Sequence, residues 1–74
     1  MTIKEARLAV GLSQQDFARE INVSISTVRN WEQGRTSISS VNAYTLLAIA
    51  RVCDLNRIDQ LKYLIIDSDI KLRK

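Results

Sequence analysis

The stretch "LSQQDFAREINVSISTVRNWEQG", residues 12–34, leaves room for two short helices and the turn between them. Ser13 can cap the first helix, and Asp16 places a carboxylate in its first turn, where the helix dipole favours one. Phe17, Ala18 and Ile21 then share an inward face. Asn22 follows, a residue type that tolerates the left-handed conformation of a tight turn. Ser24 caps the second helix, Val28 and Trp31 turn inward at helical spacing, and Gly34 stops it. Counted from Gln14, Ala18 is fifth, where two helices would cross and a larger side chain would push them apart. Asn22 is ninth, Val28 fifteenth and Trp31 eighteenth. A helix–turn–helix needs this pattern, because its second helix must be rigid while its outer face stays free.

The flanking segments read as helices too. Thr2 and Glu5 have capping-box spacing, Ile3, Ala6 and Val10 share a face, and Gly11 can end that helix. After the hydroxyl-rich "RTSISS" comes a fourth helix from about Val41 to Cys53, apolar nearly all round, so it is either central to the core or covered by a partner. Asn56 can cap a fifth helix with Ile58, Leu61 and Ile65 inward. The end, "KYLIIDSDIKLRK", has two readings: it finishes the helix, or "YLII" and "IKL" form short strands around Asp67–Asp69.

Composition excludes more than it assigns. With no histidine the usual general base near neutral pH is missing. Cys53, the one cysteine, has no partner for a zinc site or a Cys–His nucleophile. There is no glycine-rich phosphate loop, and the carboxylates are scattered, so no enzyme, metal site or cofactor is expected. No apolar run approaches the roughly 20 residues that span a bilayer. An unpaired cysteine and no signal-peptide core suggest a cytoplasmic protein. The net charge of +3 is carried by Lys71, Arg73 and Lys74, since the preceding residues are formally neutral. A nucleic-acid reading must therefore rest on which face each charge occupies.

The residues "GLSQQDFAREINVSISTVRNWEQGRT", with "IKEARLAV" before and "LLAIARVCDLNRIDQL" after, resemble the phage-repressor/Cro-like (XRE) helix–turn–helix family. The resemblance covers about residues 2 to 65. It implies an all-α, five-helix lambda-repressor-like bundle in which helices 2 and 3 form the helix–turn–helix, with a C-terminal tail whose structure it leaves open. It also implies a sequence-specific double-stranded DNA-binding regulator, a small repressor whose third helix, residues 25–33, enters the major groove. Ile25, Ser26, Thr27, Arg29 and Asn30 are then the base-contacting residues. Arg29 suits guanine O6/N7, Asn30 adenine, Ser26 and Thr27 several base edges, and Ile25 a thymine methyl or the fourth helix. Gln14 matches the family's phosphate clamp. Ser13, Ser24, Arg35 and Thr36 are further phosphate donors, and Arg7 joins them if paired with Glu32 as in some relatives. Asn22 stands where relatives usually carry glycine. The loop "TSISS" leaves only Arg35 where relatives often have more basic residues, which lowers expected affinity and salt dependence.

A single module of this size covers limited DNA, so a homodimer on a palindromic operator is expected, with half-sites roughly one helical turn apart. Residues 1–66 form the DNA-binding domain in this reading, and residues 67–74 a tail available for dimerisation. Tyr44, Leu47, Leu61, Leu64, Ile66 and Ile70 are the candidate dimer surface. The alternative is an antitoxin-type module whose apolar C-terminal surface meets a toxin.

Overall fold

A computed structural model describes residues 1–55 and 58–69, without the side chains of Ile58 and Asp59. The regular elements among the described residues are all helical: α1 (Ile3–Ala9), α2 (Gln14–Glu20), α3 (Ile25–Glu32), a 3-10 turn (Ile38–Ser40), α4 (Ala43–Val52) and α5 (Ile58–Asp69). No strand occurs among the described residues, and "YLII" lies within α5. The capping expected of Asn56, the inward side chain of Ile58, the dimer role of Ile70 and the "KLRK" end lie outside the described residues.

Local sequence sets most helix ends. Thr2, Ser13, Ser24 and Asn42 each accept the N–H of the third residue onward, and Thr2 and Glu5 complete a reciprocal capping box. Asn42 thus caps α4, and the helix begins at Ala43 instead of Val41. The first four helices end alike. Gly11, Asn22, Gly34 and Asp54 adopt φ of 76°, 60°, 72° and 56°. In each case this residue and the next donate to carbonyls of the last turn, as in Gly34→Trp31 (3.1 Å) and Arg35→Asn30 (2.8 Å). The residue after the left-handed one is Leu12, Val23 or Leu55 in three helices, and each packs on the core. After α3 it is Arg35, which is exposed.

Phe17, Ile3, Ile38, Ile49, Leu64 and Val28 are fully buried and centre the core, joined by Trp31 and Cys53. Burial pushes the Cys53 thiol up, away from reactivity. α2 packs on α3, while α1 bridges α3 and α5. Ile38, inside the hydroxyl-rich loop, is a core residue that helical periodicity could not find, because the 3-10 turn is too short to show a period. Val10 is a correction: α1 ends at Ala9, and Val10 is 38% exposed as the C-cap. In α5 Leu64 and Ser68 are buried, and Leu61 and Ile65 on the same side are half-buried. Leu64, only 1% exposed, therefore belongs to this chain's own core and not to a dimer surface.

The last turn of α5 crosses the 66/67 position, where the sequence suggested a tail would begin, and its side chains fasten two other elements. Ser68, itself buried, accepts the N–H of Ile3 at 2.9 Å. Asp69 accepts the N–H of Ile38 at 3.0 Å and the Ser37 hydroxyl at 2.6 Å. Asp67 pairs with the terminal ammonium of Met1. These contacts seat the 3-10 turn and the start of α1 against α5.

Candidate nucleic-acid interface

The turn from Ile21 to Ser24 holds α3 against α2. Val28, Trp31 and Ala18 are buried in the core, and Ala18 is 3% exposed at the fifth position of the helix–turn–helix. A larger side chain at Ala18 would meet a packed core. With its inner face so fixed, α3 turns Ser26 and Arg29 to solvent, and Thr27 and Asn30 are half-buried beside them. Ile25 is half-buried and packs on the core, so its side chain is shared between the fold and the outer face.

The polar side chains at this face are engaged in a defined order. Ser24 accepts the Thr27 N–H at 3.2 Å, and the two hydroxyls lie 2.8 Å apart, so the α3 cap and Thr27 form one unit. Ser13 caps α2 by accepting the Asp16 N–H at 3.0 Å and is exposed. Arg35 and Thr36 follow α3 directly and are exposed.

Beneath the face lies a buried ion pair. Arg7 Nε donates to Glu32 Oε2 at 2.7 Å, Nη2 to Oε1 at 3.1 Å, and Nη1 to the Leu12 carbonyl at 2.8 Å. Arg7 is 6% and Glu32 7% exposed. The internal pair implied by the family resemblance is present, but the expectation that Arg7 also reaches phosphate is corrected: all three of its nitrogens donate inward. Gln14 joins this pair, its Nε2 donating to Glu32 Oε1 at 3.0 Å. Its Oε1 accepts from Arg29 Nε at 3.5 Å. Burial alone would raise the Glu32 pKa. The hydrogen bonds from Arg7 and Gln14, with the Arg7 charge, outweigh burial and hold it below the ordinary value of 4.5.

The family resemblance implied the Arg7–Glu32 pair, and the sequence indicated Gln14 and Arg29 separately, but it did not indicate that Gln14 links Glu32 to Arg29. Those residues lie 18 and 15 positions from Gln14, and nothing in local spacing connects them. With Arg7 neutralised by Glu32, Arg29 and Arg35 are the exposed cations among the expected site residues.

No described helix is long and apolar enough to cross a membrane, and no described cluster of His, Cys, Asp or Glu could hold a metal ion. Comparison with protein-family models finds a match, described as helix-turn-helix, over residues 3–59. No curated protein and no solved structure matches the chain.

Proposed function

This chain belongs to the XRE-type helix–turn–helix family of DNA-binding transcription regulators, and on that footing we propose that it acts as a small dimeric repressor. In this reading each α3 enters the major groove of one half-site of a palindromic operator. The carrying observation is that α3 keeps Ser26 and Arg29 exposed while Val28, Trp31 and Glu32 anchor its other side. Arg29 pairs with a guanine edge and Asn30 with adenine, Ser26 and Thr27 read neighbouring edges, and Ile25 touches a thymine methyl. Ser13, Ser24, Arg35 and Thr36 set register on the phosphates, while Gln14, the expected phosphate clamp, is bonded to Glu32 and Arg29.

Size supports two copies. The domain measures 28 × 26 × 22 Å, whereas successive major-groove faces are roughly 34 Å apart. One copy carries one reading helix and is too small to fill two half-sites. The surface available to a second copy is the outer side of α4 and α5, where Tyr44 is 85%, Leu47 64% and Ile66 44% exposed, with Leu61 half-buried nearby in sequence. The same exposed side chains favour a second reading, an antitoxin-type module whose apolar C-terminal surface meets a toxin.

Selection from a random duplex pool at moderate salt tests the proposal. An enriched palindrome supports the dimeric regulator, and an enriched lone half-site removes the dimer. No enrichment by folded protein shifts the reading to the protein-binding module.

A further inference from the structure

We infer that Gln14 is a positioning residue for the base reading done by Arg29, an inference that rests on the role of Arg29 proposed above. Gln14 stands between two groups of opposite hydrogen-bonding character. An ionised Glu32 only accepts, and the Arg29 guanidinium only donates. Gln14 meets both requirements in one orientation of its amide: Nε2 donates to Glu32 Oε1 at 3.0 Å, and Oε1 accepts from Arg29 Nε at 3.5 Å. The flipped amide would set a carbonyl against the carboxylate and an NH2 against the guanidinium. Both neighbours therefore dictate the same orientation.

Glu32 is itself fixed by Arg7 at 2.7 and 3.1 Å, and Arg7 by the Leu12 carbonyl at 2.8 Å. Exposed Arg29 thus takes its direction from a buried pair that joins α1 to α3. The Gln14 contact uses Nε, on the side of the guanidinium. The Nη1/Nη2 edge keeps its donors for a base edge such as guanine O6 and N7. At 3.5 Å the contact is long, so it biases the arginine rather than locking it. That bias reduces the rotamer freedom lost when Arg29 engages a base. It also directs Gln14 inward, so its loss is read as altered base preference rather than as a missing phosphate contact.

The test compares wild type, Gln14→Met, Arg29→Ala and the double variant against duplexes that differ at single base pairs. Arg29→Ala identifies the pair that Arg29 reads. Gln14→Met should lower preference at that same pair by about 2- to 10-fold, the size of one side chain's rotamer ordering. It should leave the salt slope unchanged and cause no further loss when added to Arg29→Ala. A uniform loss on every duplex with a shallower salt slope makes Gln14 a phosphate ligand and overturns the inference. Equal loss in both backgrounds, or no change in preference, overturns it as well. If Arg29→Ala shows no base-specific effect, the reading of Arg29 itself falls, and the inference falls with it. A second measurement needs no DNA and no variant. The Arg29 Nε–H should exchange with water more slowly than that of Arg35 in the free protein by NMR, and equal exchange overturns the contact.

Discussion

Arg7 on α1 and Glu32 on α3 form a two-point ion pair, 2.7 Å from Nε to Oε2 and 3.1 Å from Nη2 to Oε1, with both residues buried. Their distance in sequence is 25 residues. The pair ties the first helix to the last turn of α3, so the angle at which α3 leaves the body depends on a contact outside the helix–turn–helix itself. A buried pair can be weak evidence for net stability, because desolvation offsets much of the attraction. Its position points to orientation as the larger effect.

Removing one partner should be far worse than removing both. Arg7→Met takes the two-point ion pair away from the buried Glu32 carboxylate and should cost about 3–5 kcal/mol. That is a large share of the stability of so small a domain. Arg7→Met with Glu32→Leu should recover much of the loss. Urea unfolding of the three proteins measures the difference, and equal instability of the single and double variants would contradict this account.

Acid should act through the same carboxylate. The folded-state pKa of Glu32 is depressed from its ordinary 4.5, so its contribution is fully present above that value. It is lost as pH falls through the depressed folded-state value. Asp69 has the same sign: burial acts to raise it, but bonds from Ser37 and the Ile38 N–H hold it below 3.8. Stability measured from pH 6 downward should therefore fall below about pH 4.5, and Glu32→Gln should fall less steeply over that window.

Salt dependence should be shallow. Arg7 is committed inward, which leaves Arg29 and Arg35 as the exposed arginines of the site. Arg29 is assigned to a base edge, so Arg35 is the phosphate-neutralising arginine, and one such charge per protomer gives a dimer slope of log K against log salt of about −2. Arg35→Ala should lower affinity on all duplexes alike and make the slope shallower by about 0.9 per protomer. Titration of binding at four salt concentrations would show this, and a much steeper slope would mean that further basic residues reach the backbone.

Asp54 occupies the left-handed position after α4 with φ of 56°. There its carboxylate also faces a helix C-terminus, the unfavourable end of the dipole. Asp54→Gly should stabilise the domain by about 0.5–1 kcal/mol. Asn22→Gly, at φ of 60°, should gain less, because asparagine accepts this conformation more readily. Thermal unfolding of each variant reads the difference, and a loss on Asp54→Gly would refute it.

Leu47, 64% exposed on α4, tests the second copy. Leu47→Lys should leave the melting temperature nearly unchanged, because the side chain is solvated in the single chain. It should shift sedimentation at micromolar concentration towards the monomer and weaken binding to a palindrome more than to a lone half-site. Unchanged sedimentation would place the contact between copies elsewhere.

Local sequence alone determined where helices begin and end, and it did so accurately at Thr2, Ser13, Ser24 and Gly34. A cap depends on a side chain reaching an N–H two or three residues away, and a left-handed stop on one residue's φ, so both act within a single turn. The helix–turn–helix is made of such local signals plus the inward spacing of Ala18, Val28 and Trp31. Tertiary structure decided what the sequence left open. Arg7 looked like a cation for phosphate until Glu32 and the Leu12 carbonyl took its donors. Leu64 and Ile66 are two residues apart on one apolar stretch, and packing buried the first and left the second 44% exposed. Asp67, Ser68 and Asp69 read equally well as a turn between strands, yet they form a helix end that caps α1 and the 3-10 turn. In each case the outcome depends on which distant backbone group or side chain lies opposite, and residue type and spacing do not carry that information.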